Sequence, residues 1–308
     1  MVLFRSCHNV SITLRHIARL MNSTPSSANE VLVIEPQTSW VPIQLRELWR
    51  YRELITFLAL RDIKVRYKQS VLGAGWAILQ PLLTMVVFNI LFGLLLGSEG
   101  KPTMEGIPYA VSTYCALVPW QLFARSLGQS SQSLVANQSL ITKVYFPRLV
   151  APISPILAAL VDFALVFTVL AGLMLIYGVI PGAEVLALPF FIVLAMMTAL
   201  SVSLWLSAIH AIYRDVGYTV PFLIQIWMFV TPVLYTTESV MKNQGEVVRF
   251  FYGLNPMAGV VEGFRWALLG GDPPAWNLIA ISTVLVSLCL IGGLFFFRRL
   301  ERTFADLV

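Results

Sequence analysis

The chain has 308 residues, of which 57% are hydrophobic and 12% charged, with mean hydropathy +0.77 and a formal net charge of +5. A soluble domain carries about a quarter of its residues charged, so this composition excludes an ordinary water-soluble protein and points to a chain solvated partly by lipid. The positive charge does not point to nucleic acid, because the basic residues stand in short patches between apolar runs, as they do where they orient membrane proteins.

Residues 1–29 contain no acid and carry Arg5, His8, Arg15, His16 and Arg19. That composition suits a transit segment, or an upstream start ahead of an initiator at Met21. Residues 1–44 are therefore set apart as an extension and polar arm, and 45–308 as one transmembrane domain. From Leu45 to Lys68, Leu48, Tyr51, Ile55 and Leu58 recur at helical spacing among Arg46, Arg50, Arg52 and Glu53. This predicts a basic amphipathic helix in the membrane interface, with Trp49 on or near its apolar face. It runs into a basic patch holding Arg61, Asp62, Lys64, Arg66 and Tyr67.

A hydrocarbon core of about 30 Å needs roughly 20 apolar residues in a helix. Six runs qualify as candidates, over about 76–97, 108–130, 149–180, 185–211, 216–235 and 276–297. Prolines within them are tolerated where neighbouring helices satisfy the freed backbone groups. With the N-terminus inside, 17 of the 21 Lys and Arg residues fall on the inner side, which predicts cytoplasmic N- and C-termini.

Between the second and third runs, Asn137–Arg148 places Leu140, Ile141, Val144, Tyr145 and Phe146 beside Lys143 and Arg148. Apolar groups rimmed by polar ones suit a docking surface, or equally an interfacial helix resting on lipid. The outer segment Thr236–Trp276 contains Asn255, a helix cap followed by Pro256 at the first helical position. Met257, Val260, Val261, Phe264 and Leu268 then repeat at helical spacing. This helix is too short to span and reads as a re-entrant or surface gate helix; Glu262 and Arg265 stand at i,i+3, close enough to pair.

Catalytic motifs are lacking. Gly97-Ser98-Glu99-Gly100-Lys101-Pro102 has the wrong glycine spacing for a phosphate-cradling loop and no Ser or Thr after the lysine. There is no HExxH, no GxSxG and no His/Cys metal cluster; Cys7, Cys115 and Cys289 share no motif and read as core thiols. No catalytic or metal-binding residue is assigned. Asp162 is the one acid well inside a run. A carboxylate there is costly and calls for a partner such as Arg125 or for protonation, serving either an interhelical hydrogen bond or a gating or substrate contact. Trp76, Tyr114, Trp120, Trp205 and Trp227 belong to an interfacial aromatic belt or line a path for sugars.

Three stretches carry a resemblance: Leu48–Leu54 continuing through Arg61–Gln69, Leu72-Gly73 and Trp76–Pro81; Ile141–Arg148; and Leu254–Met257 through Arg265. Together they resemble the ABC-2-type permeases that export polysaccharide, O-antigen and teichoic acid, from about Val33 to the C-terminus. The fold expected is an all-α integral membrane protein with six transmembrane helices, an N-terminal amphipathic interfacial helix and short outer gate helices between spans five and six. The resemblance implies a homodimer in the bacterial inner membrane, with a pore between the copies. It also implies two copies of a separate nucleotide-binding subunit, which would hold the ATP and Mg, and a lipid-linked glycan as substrate. On that basis Leu140, Ile141, Thr142, Lys143, Val144, Tyr145, Phe146 and Arg148 would form the coupling helix that docks on the ATPase. Trp49, Arg61, Asp62, Lys64, Arg66 and Tyr67 would lie at the cytoplasmic mouth, and Asn255, Pro256, Glu262, Phe264 and Arg265 at the outer gate. The alternatives are a small-molecule or drug exporter of the same fold, a membrane enzyme acting on lipid-linked sugars, and a channel or secondary transporter.

Overall fold

A computed structural model describes residues 45–68, 73, 75–96, 107–144, 146–235 and 252–307. The extension 1–44, Tyr145 and the outer segment 236–251 lie outside the described residues. Among the described residues every regular element is helical. In chain order these are α1 (Leu45–Arg50), α2 (Arg52–Lys68), α3 (Gly75–Leu96), α4 (Tyr109–Ala136), the single turn α5 (Gln138–Ile141), α6 (Val150–Ile176), a 3-10 helix (Ala183–Ala187) leading into α7 (Leu188–Ile212), α8 (Val216–Val230), α9 (Pro256–Leu269) and α10 (Trp276–Leu307).

The fold is organised around α4, which packs along α6 and α7 and meets α3, α8 and α9. Its first half is sealed, with Val111, Tyr114, Leu117, Val118, Leu122 and Phe123 almost wholly buried. Its second half is serine-rich and uses those hydroxyls between helices. The Ser130 hydroxyl donates to the Pro152 carbonyl at 2.6 Å and lies 2.9 Å from Ser203 Oγ. Small hydroxylated residues let helix backbones approach closely in lipid. Pro155 leaves the Ala151 carbonyl of α6 without its helical donor, and the Ser154 hydroxyl donates to that carbonyl at 3.2 Å. α10 lies along α7. The Trp205 ring stacks on Phe296 at 4.6 Å and donates its indole N–H to the Cys289 carbonyl at 3.1 Å. Gly293 faces that ring, and an added Cβ would come within 2.9 Å of the indole nitrogen.

Among the described residues three helical segments are long and apolar enough to cross a membrane: Val150–Ile176, Ala183–Ile212 and Trp276–Glu301. Gly75–Leu91 and Val216–Val230 are apolar but shorter. The expected span over 216–235 is cut short: α8 stops at Val230, and Thr231, next to Pro232, is extended with ψ 142°. A residue before proline is pushed out of the helical region. At 1.5 Å per residue, α8 reaches only about 22 Å. α10, by contrast, continues past Phe297 to Leu307. The helix expected over 45–68 is interrupted at Tyr51. Ile55, Leu58 and Ala59 face the protein, whereas Trp49 is 71% exposed and Phe57 and Leu60 also point away from it. α1 and α2 therefore present a second, outward apolar face that the helical spacing did not reveal.

Candidate functional site

Asp162 stands twelve residues into α6, about 18 Å along its axis, and is only 1% exposed. Three side chains converge on it. Arg125 of α4 pairs with Oδ2 at 2.9 Å, Arg66 of α2 pairs with the same oxygen, and the Tyr67 hydroxyl donates to Oδ1. Arg66 also donates to Gln129 Oε1, and Arg125 reaches Gln80 Oε1 of α3 at 3.5 Å. Three helices are tied together through one carboxylate, and Arg125 extends the contact to a fourth, α3. Burial, reinforced by the bond to Asp162, pushes the Tyr67 phenol up to about 12, so it remains a donor across the physiological range.

Beside this cluster lies a cavity of about 350 Å³, lined by Arg66, Tyr67, Trp76, Gln80, Arg125 and Gln129, with Gly73 and Ala77 completing the wall. The Arg125 partner was legible in the sequence because a lone buried acid demands one. Arg66 and Tyr67 were expected at an interface instead. They reach Asp162 because α2 packs along α6 and carries its C-terminal turn to that depth.

The same helix holds the turn after α4. Arg61 donates to Asn137 Oδ1 at 2.7 Å while also pairing with Asp62. Phe146 is buried against Ile55, Leu58 and Val150, with Leu140 and Ile141 beside them. Of the expected docking residues that are described, Thr142, Lys143 and Val144 are the ones left exposed. Arg148 turns the other way, donating its guanidinium and its backbone N–H to Glu301 of α10. Trp49 projects outward with the Arg52 guanidinium 5.8 Å over its ring, and Lys64 is exposed.

At the opposite end of α4, Asn255 caps α9. Met257 N–H and Trp227 Nε1–H both donate to Asn255 Oδ1, at 3.1 and 3.0 Å, and Asn255 Nδ2 donates to Thr231 Oγ1 at 3.1 Å. Arg265 does not form the expected ion pair with Glu262; among the described residues Glu262 makes none. The guanidinium instead donates to the carbonyls of Pro232, Val233 and Tyr235 at 2.8–3.0 Å, and to Ser112 at 3.5 Å. Those acceptors are exposed by the early end of α8, and a fork of five N–H donors can serve several of them at once. Glu262 instead lines a cavity of about 300 Å³ with Tyr252, Asn255, Trp266 and Asp272. Burial pushes its carboxyl up to about 7, with Arg265 opposing. Pro256 is buried at the start of α9, and Phe264 packs edge-on against Phe163 at 6.2 Å.

The expected path-lining aromatics divide. Tyr114 and Trp120 are buried in the core, and Trp227 is fixed by Asn255 and by an edge contact with Phe123 at 4.9 Å. Trp205 sits in the α7–α10 seam, which leaves Trp76, 53% exposed, as the one whose ring faces open space.

Residues 53–269 match the ABC-2 type transporter family. The chain is 30% identical over 246 residues to the O-antigen export system permease protein RfbA of Myxococcus xanthus, covering 79% of this chain and 92% of that protein. It is 27% identical over 258 residues to RfbA of Klebsiella pneumoniae, covering 83% and 95%. It is 29% identical over 255 residues to the polysialic acid transport protein KpsM of Escherichia coli, covering 79% and 92%. A match that takes in α2 through α9, with both the Asp162 cluster and the Asn255 cap inside it, establishes that the chain belongs to the ABC-2 type transporter family.

Proposed function

We propose that this chain is the membrane permease subunit of an exporter that moves a lipid-linked polysaccharide from the cytoplasm outward, driven by ATP hydrolysis on a separate subunit. The observation that carries the reading is the alignment over more than nine-tenths of the length of permeases named for O-antigen and polysialic acid transport. In this reading the chain crosses the inner membrane six times, with both termini cytoplasmic, and α3, α4 and α8 count as spans beside Val150–Ile176, Ala183–Ile212 and Trp276–Glu301. Two copies enclose the path and two nucleotide-binding subunits drive it. The segment 139–144 docks on the ATPase. Its exposed part is Ser139, Thr142, Lys143 and Val144, and Phe146 holds it against α2 from beneath. The α9 helix, clamped by Asn255 and Arg265, forms part of the outer gate.

The test is purification of the chain from its native membrane, with ATPase measured on whatever accompanies it. A nucleotide-binding subunit is expected to co-purify, and Val144→Asp or Lys143→Glu to release it without lowering the yield of the permease. A chain that comes out alone, or whose transport persists without ATP, overturns the reading.

A further inference from the structure

The Asp162 cluster is unbalanced. Two guanidinium groups share one carboxylate, and both pair with the same oxygen. Tyr67 takes the other oxygen. Besides its ion pair, the Arg125 guanidinium has only a 3.5 Å contact with Gln80 among the described residues. Among the described residues the cluster therefore carries one net positive charge about 18 Å along α6, at the wall of a 350 Å³ cavity. Uncompensated charge at such depth is costly unless an anion or water offsets it. Besides Gly73 and Ala77, the rest of the wall is amide, phenol and indole.

We propose that this cavity is an oxyanion-binding site in which Asp162 is the resting occupant, and that a phosphate ester entering it takes Arg66 and Arg125 from the carboxylate and loosens α2 from α6. The proposal deepens the exporter reading and rests on it for the source of the ester, the phosphate headgroup of a carrier lipid. Guanidinium groups bind phosphate in bidentate fashion. A phosphate offers three oxygens and up to two charges, whereas Asp162 Oδ2 is already divided between two arginines. The Gln80 and Gln129 amides stand ready to donate once the arginines turn. Trp76 presents its half-exposed ring at the mouth, against which the group attached to the phosphate can lie.

Oxyanion competition makes a prediction that a merely structural ion pair does not: removing the acid should help the ligand. The full-length chain in phosphatidylcholine nanodiscs would be titrated with a polyprenyl diphosphate, with phosphatidylglycerol and with inorganic pyrophosphate, and binding read by native mass spectrometry. Saturable binding is expected, weakened about tenfold or more by Arg66→Gln and Arg125→Gln and tightened by Asp162→Asn. The probe bound most tightly identifies the source as carrier lipid, bulk phospholipid or free phosphate, and each supports the site if Asp162→Asn tightens it. Loss of affinity in Asp162→Asn to match the arginine variants, or no saturable binding of any probe, overturns the proposal. Should Asp162→Asn fail to insert, Gln80→Leu, which leaves the ion pairs intact, must weaken binding; an unchanged affinity overturns it equally. Amide exchange over residues 52–68 is expected to rise with ligand bound, and added protection there would overturn the release of α2. Co-purification of the ATPase depends on Lys143 and Val144, outside the cavity, so failure here and failure of the exporter reading are told apart.

Discussion

One amide joins the end of α8 to the start of α9. Asn255 Oδ1 receives both the first free N–H of α9 and the Trp227 indole, and its Nδ2 holds Thr231. Asn255→Ala removes the cap and orphans the indole, and is expected to cost about 1–2 kcal/mol, read as a lowered melting temperature of the solubilised protein. Asn255→Asp keeps the oxygen that accepts both bonds and loses the donor to Thr231, so it should fall between. Glu262 gives a pH signature. Its folded pKa, about 7, lies above the ordinary carboxylate value because burial disfavours the charged form. The folded state therefore binds the proton more tightly than the unfolded, so stability should fall as pH rises from about 4.5 and level off above about 7. A melting series across that window, repeated with Glu262→Gln, should show the slope flattened in the variant.

The seam between α9 and α7 depends on a missing side chain. A Cβ on Gly263 would run into the Phe191 ring, far inside contact distance. Gly263→Val should therefore destabilise the pair strongly, and Phe191→Ala should recover part of the loss; the interaction energy of that double-mutant cycle measures the clash. Helical spacing makes α9 and its cap legible in the sequence, because cap chemistry is local. The early stop of α8 is harder to see although Pro232 marks it, since apolar residues continue to Tyr235 and composition alone extends the run. Phe146 illustrates the other limit. Its neighbours Leu140 and Val144 share its apolar character, yet one faces α2, one is half-covered and one is exposed. That choice is made by Ile55 and Leu58, some ninety residues earlier. The partners of Asp162 divide the same way: the sequence demanded a cation, but only the packing of α2 along α6 brings Arg66 and Tyr67 to it.

Across the whole molecule, the exposed apolar residues form long stripes: Leu83, Val87 and Ile90 on α3, Phe222, Ile226 and Phe229 on α8, and Ile281, Val284, Leu288 and Ile291 on α10. Surfaces of this extent need lipid or a second copy to cover them. In the proposed orientation, the exposed positions 144 and 272 lie on opposite faces of the membrane. In a background with Cys7, Cys115 and Cys289 replaced by serine, Val144→Cys should react with an impermeant maleimide only in inside-out vesicles, and Asp272→Cys only in intact spheroplasts. The reverse pattern would invert the topology. The α2 helix bears on how such a molecule is driven. Five residues apart, Arg61 grips Asn137 at the root of the exposed turn and Arg66 grips Asp162 in the interior. A single rod held at both places makes their free energies a shared quantity, and linkage of this kind runs equally in both directions. In the proposed reading, whatever factor cargo adds to or takes from the affinity of the motor subunit at that turn, the motor must return to the affinity for cargo.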